Sequence, residues 1–243
     1  PYASAISSKK FIEDNINTIY GTLYFWEHVD EENATGTAGH NYNGYVGGYA
    51  TRNIAMGVSA NEVASNDNSN DGTPSIGNGV YKAPENYIPI GQGFFVTGDN
   101  DGGNIVFNNS QREHKLEGDN STFFRNSTNE SNTQNLLPII KLGMDYMNAD
   151  DIELHRQIGI SFKQNNTFDF DKGYDSYLFD LSGTDIYWQF PGSEAKYVIA
   201  GVEELTNDLE VPIAIQIEFD GEFVIDIDEW QNINRDVYLK DNV

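Results

Sequence analysis

The sequence predicts an all-β protein: an antiparallel β-sandwich of jelly-roll type, with long polar loops and at most one or two short helices. Three observations carry that prediction. About a dozen short words alternate apolar and polar residues, as a half-buried sheet demands, and turn residues separate them. The 14 Tyr, 14 Phe and 23 Gly among 243 residues favour strands joined by tight turns. Helical periodicity is almost absent.

The elements follow in chain order. "SKKFIEDNI" (Ser8 to Ile16) predicts a helix near the start, with Ser7 or Ser8 as its cap. Strand words then run "GTLYFWEH", "GYVGGYA", "GQGFFVTG", "NIVFNN", "PIIKLGMDYM", "IGISFK", "YDSYLFDL", "DIYWQF", "KYVIAGV", "PIAIQIEF", "EFVIDI" and "DVYLKD". "ELHRQI", around Leu154, suits a helical turn. Asn61 to Val80 and Glu117 to Asn135 are rich in Asn, Ser, Asp and Gly. Such composition buries too little apolar surface to offset its ordering entropy, so both are read as long loops. No internal repeat or clear boundary divides the chain, and one domain over residues 1–243 is expected.

The stretch "AIQIEFDGEFVIDID" contains Glu218, Asp220 and Glu222 at alternate positions. On one continuous strand they would share a face, as the paired acids of a glycoside hydrolase require. Asp220-Gly221 between two alternating runs instead predicts a β-hairpin with a type I′ turn, which breaks that row. A polysaccharide-acting hydrolase using acids such as Glu218 or Glu222 is the alternative functional reading.

Composition excludes several classes. The net charge is −24, from 14 Lys and Arg against 38 Asp and Glu. A nucleic-acid backbone or an anionic membrane surface would be repelled, whereas cations would be attracted. With no cysteine there is no disulfide or thiolate chemistry. No apolar run approaches the length of a spanning helix, so direct membrane insertion is not expected. No Gly-x-Ser-x-Gly elbow, Walker loop or dinucleotide fingerprint occurs, and the four His are scattered. The expected protein is not an enzyme, and each isolated His is expected to be solvated.

Calcium is the candidate cofactor. "FDFDKGYDSY" places Asp169, Asp171 and Asp175 around a predicted turn at Lys172-Gly173, and "TGDNDGGN" offers Asp99 and Asp101 in a Gly-rich loop. Hard cations want six to eight oxygens, although this spacing is not that of an EF-hand. Asp226, Asp228 and Glu229 end a strand and are expected to face solvent. Polysaccharide is the candidate ligand. In "HNYNGYVGGY", Tyr42 and Tyr45 stand among Gly and Asn, as an exposed sugar-stacking platform would. Trp26, Trp188 and Trp230 sit inside strand words and are expected to pack in the core.

The words "PYASAISSKKFIEDN", "IYGTLYFWEH", "GGYATRN", "YIPIGQGFFVTG", "NIVFNNSQRE", "FDKGYDSYLFD" and "VYLKDN" occur in one order. Together they resemble the domain that precedes the C-terminal sorting domain in bacterial surface proteins exported by the type IX secretion system. The resemblance implies a β-sandwich, handling by the secretion machinery and an extracellular or outer-surface location. It also implies a stalk or binding role in an adhesin or polymer-degrading protein, with polysaccharide or another surface protein as partner. It carries no catalytic motif. That family's sorting domain does not follow "VYLKDN", so the chain is expected to be part of a larger secreted protein.

Overall fold

The computed structural model describes residues 4–30, 45–63, 83–114, 137–147, 153–218 and 220–240. The chain enters through β1 (Ala5–Ser7) and turns directly into α1 (Ser8–Asn15). Ser7 caps this helix: its hydroxyl accepts a hydrogen bond from the Lys10 backbone N–H at 3.3 Å. One face of α1 is apolar, and Phe11 and Ile12 are fully buried there with Ile19, Leu23 and Phe25. That cluster joins the helix to β2 (Ile19–Asp30).

β2 is the spine of a four-stranded sheet. The sheet also holds β3 (Tyr45–Arg52), β4 (Gly57–Val58) and, after β5 (Glu62–Val63) and β6 (Tyr87–Ile88), β7 (Phe95–Gly98). Its order is β4-β3-β2-β7. Alternation along β2 sends Leu23 and Phe25 towards α1 and Tyr24 and Trp26 to the other face. β8 (Arg112–Glu113) and β6 flank β1 in a small sheet of three strands.

The remaining strands build an eight-stranded curled half-barrel. They are β9 (Ile139–Met147), β10 (Glu153–Phe162), β11 (Ser176–Tyr177), β12 (Asp185–Trp188), β13 (Tyr197–Val202), β14 (Ile213–Gln216) and β15 (Phe223–Gln231), joined by β5. The main order is β14-β12-β13-β10-β9-β15. All its pairs are antiparallel except β10 with β13, which run parallel from Gly159↔Ile199 to Phe162↔Val202. The larger core lies here, with Met144, Ile158, Ile186 and Ile199 fully buried. The two sheets press together at Gly159, where an added Cβ would stand 2.4 Å from Met56 Sδ and 3.1 Å from Val58 Cγ2.

The all-β class and the single early helix agree with the sequence reading. Several local expectations do not hold. "ELHRQI" is strand throughout, because Leu154, Ile158 and Ile160 alternate into the core. "NIVFNN" forms no strand: residues 104–109 are exposed, and Asn15 holds Val106 through its amide group. Residues 236–240 of "DVYLKD" are exposed and unpaired in any sheet. The predicted Asp220-Gly221 hairpin is absent. β14 pairs with β12 and β15 with β9, so the chain crosses between opposite edges of the half-barrel. Gly221 is not in the left-handed region, as a type I′ turn would need. The two alternating runs prefer separate partners whose apolar rows continue the core. Within the first predicted loop, Glu62 and Val63 pair with β10, whereas residues 64–80 and 117–135 lie outside the described residues.

Candidate functional site

The outer face of the four-stranded sheet carries a group of aromatic rings. Trp26 on β2 is directly opposite Tyr49 on β3, and Tyr24 is opposite Phe95 on β7. Phe179, from the segment after β11, lies over Tyr24 and Tyr49, each with ring centroids 4.9 Å away. Trp26 and Phe95 meet Tyr49 edge-on at 5.1 and 5.9 Å. Tyr49 is thus the half-buried hub of a platform whose outer rings are exposed: Trp26 by 46%, Phe95 by 57% and Phe179 by 53%. Edge-to-face packing of this kind holds rings rigid at a small cost in conformational freedom.

A buried ion pair fixes one corner of the platform. Arg156 on β10 is fully buried and grips Asp185 with two hydrogen bonds, Nε to Oδ1 at 2.8 Å and Nη2 to Oδ2 at 2.9 Å. Nη2 also donates to the Asp180 carbonyl and to its Oδ1, at 3.1 and 3.2 Å. The other Asp180 oxygen accepts the Tyr49 backbone N–H at 2.8 Å. Asp180 therefore ties β3, beyond the stretch paired with β4, to the half-barrel and positions its neighbour Phe179. Burial alone would lower the Arg156 pKa, but Asp180 and Asp185 outweigh it and hold the guanidinium charged. Gly48 belongs to this joint, since a Cβ there would strike the Asp180 carboxylate.

The opposite side of β10 holds a second polar group. His155 Nδ1 is 2.7 Å from Asp145 Oδ1, and Nε2 is 3.0 Å from Asp228 Oδ2. Gln157 donates to the same Asp228 oxygen at 2.7 Å. Burial lowers the imidazole pKa, yet the two carboxylates more than compensate and raise it to about 9. Asp228 gains from its partners too. Burial pushes it up, but the hydrogen bonds from His155 and Gln157 bring it below the usual carboxylate range. Expected to be solvated, His155 and Asp228 instead form a clasp across three strands, and Glu229 pairs with the buried Lys141 at 2.7 Å. Asp226 remains exposed.

The predicted calcium ligands are placed differently from one another. The turn at Lys172-Gly173 is present, with the N–H groups of Tyr174 and Asp175 both donating to the Asp171 carbonyl. It folds Asp175 inward, where the carboxylate is fully buried and accepts the N–H of Asp171 at 2.7 Å and of Gly201 at 2.6 Å. Burial raises its pKa to about 7 despite those bonds. Asp171 accepts from the N–H and hydroxyl of Thr167, while Asp169 is exposed. The two predicted loops do meet, but through Lys172, which pairs with Asp99. Asp101 is exposed. Among the described residues, no group of three or more His, Asp or Glu is arranged to hold a metal ion.

Of the predicted platform residues, Tyr42 lies outside the described residues, and Tyr45 begins β3. Trp188 is buried as expected, whereas Trp26 and Trp230 are exposed by 46% and 40%. Trp26 alternates with Phe25, and only one of two adjacent strand residues can face α1. The consecutive aromatics of "LYFW" signalled a strand with an aromatic outer face; nothing in the sequence signalled that Phe179 would join it.

The fold and the exposed rings thus define an all-β domain with an aromatic face. Over residues 1–243 the chain belongs to the family described as a domain of unknown function, DUF8693. No curated protein and no solved structure matches it.

Proposed function

We propose that this domain is a non-catalytic binding module of an exported bacterial surface protein, and that it docks polysaccharide on Trp26, Tyr49, Phe95 and Phe179. The observation that supports this most is the exposure of three rings held rigidly about Tyr49. Ring faces stack on the apolar faces of sugars, and large rigid side chains bind with little loss of conformational entropy. The high negative charge suits a neutral or cation-bearing glycan in an extracellular medium. The resemblance to domains of type IX-exported proteins supports the same location.

The test is titration of the purified domain with a panel of soluble and insoluble glycans, read by calorimetry and tryptophan fluorescence. Binding of one glycan class should weaken by about tenfold in Trp26→Ala and again in Phe95→Ala, each loss being about 1.4 kcal/mol. Unchanged affinity in both variants would remove the platform assignment. Reducing ends should not accumulate in the same samples. Turnover abolished by Glu222→Gln would establish a hydrolase instead.

A further inference from the structure

We infer that the open side of the half-barrel is a docking site for an extended strand of another polypeptide, one that alternates apolar residues with Lys or Arg. Among the described residues, the half-barrel ends in two strands that pair on one side only, β14 and β15. β15 is nine residues long, more than the usual strand, and a long unpaired edge offers a row of backbone donors and acceptors to an incoming chain.

Side chains at this opening continue the core yet are left uncovered. Ile225 on β15 lies opposite the buried Met144, and Ile215 on β14 lies opposite the buried Ile186, both packed against the large apolar cluster. Phe223, Ile227 and Trp230 share the Ile225 face by their register with β9 and are exposed by 39%, 51% and 40%, and Ile217, just past β14, is exposed by 50%. The chain between Gln216 and Phe223 keeps the two rims within about 25 Å at that end. A strand added to β15 would lay every second side chain over this apolar row.

Charge selects the remaining side chains of that strand. The rim carries Glu218, Asp220, Glu222 and Asp226, and none of these four forms an ion pair among the described residues. The carboxylates of "AIQIEFDGEFVIDID" thus border an apolar opening. A second copy of this chain would bring a further charge of −24 to an acidic rim, whereas an apolar strand with outward Lys or Arg matches both features.

The experiment uses the intact 243-residue chain and the synthetic peptide Ac-KVKVKVKVK-NH2. The controls are a peptide of the same composition with its lysines in one block, and an acidic alternating peptide, EVEVEVEVE. Hydrogen exchange is read over residues 223–231, and affinity by calorimetry. The alternating basic peptide should slow exchange there and bind about tenfold more tightly than the blocked peptide. Ile227→Lys, at an exposed position, and Asp226→Lys should each weaken binding by a similar factor. Equal affinity for the alternating and blocked peptides would overturn the proposal, because charge alone would then explain binding. So would protection of 223–231 in the free protein together with a dimer in sedimentation, which would make a second copy the occupant. No protection with any peptide would overturn it as well.

Discussion

His155 and Arg156 are adjacent on β10, each bound by two aspartates, yet they stand in different physical regimes. Arg156 points into the core and is fully buried between Asp185 and Asp180, away from water. His155 points to the outer face, and Asp145 and Asp228 hold it where water still reaches them. Burial makes the first group expensive to break and insensitive to solution conditions. Partial exposure makes the second cheap to break and sensitive to pH. The difference also separates their roles, since Arg156 joins the half-barrel to the aromatic platform through Asp180, while His155 ties β15 to β10 across β9.

The largest expected effect comes from breaking the buried pair. Arg156→Met leaves two carboxylates without their cation and should cost about 3–5 kcal/mol. For a domain of this size that lowers Tm by on the order of 10 °C. Replacing both partners, as Arg156→Met with Asp185→Leu, should recover much of the loss, because the desolvated charge goes too. If the double variant is as unstable as the single one, the cost lies in packing and not in charge. In folded Arg156→Met, Asp180 should release Phe179, so any glycan affinity should fall as well.

The outer group tests the other half of the comparison. At Gly143 an added Cβ would lie 2.2 Å from His155 Cε1 and 2.5 Å from Asp228 Oδ1. Gly143→Ala should therefore displace the imidazole and cost roughly 1–3 kcal/mol, measured by urea unfolding. The same substitution in a His155→Ala background should cost much less. Equal costs in the two backgrounds would show that the clash is with something other than the imidazole, Asp228 being the next neighbour.

A smaller effect follows from titration. The folded His155 pKa, about 9, lies above the ordinary imidazole value, so the native state binds more protons than the unfolded one between them. Stability from this group is complete below about 6.5 and is lost as pH rises through about 9. With the discount for solvent screening it amounts to about 1 kcal/mol. Asp175 acts with the same sign in a lower window, because its folded pKa is raised to about 7 and keeping it charged in the core is unfavourable. His155→Gln should flatten the stability profile only above about pH 6.5. A slope that persists above about pH 8, beyond the Asp175 window, would assign the titration to another group.

What the sequence disclosed is what local rules govern. Ser7 as cap, the turn at Lys172-Gly173 and the strand character of β2, β9 and β13 each depend on residues within a few positions. The misread features depend on partners far along the chain. Asp220-Gly221 had the local form of a hairpin, but β9 and β12 offered its flanking runs deeper apolar neighbours. "ELHRQI" carries His155 and Arg156, which look solvated until Asp145, Asp180, Asp185 and Asp228 are in place. The platform was half visible in the aromatics of β2 and β3, while Phe179, about 130 positions from Tyr49, is brought over it by Asp180.

The smallest expected effect concerns calcium, and it separates a charged loop from a metal site. A cation bound only by the native state stabilises it by mass action, about 2.7 kcal/mol at a hundredfold excess over its dissociation constant. That gain needs several oxygens free to converge. Asp175 gives both of its oxygens to backbone N–H groups, Asp171 accepts from Thr167, and Asp99 is paired with Lys172. Taking any of these for a metal would break a bond already made. At a net charge of −24 added salt still relieves self-repulsion, so calcium should raise Tm only as far as sodium chloride of matched ionic strength does. Asp169→Asn, at an exposed position, should leave that response unchanged. A calcium-specific rise in Tm that disappears in Asp171→Asn would instead show that the loop rearranges around the ion, with Lys172 giving up Asp99 to it.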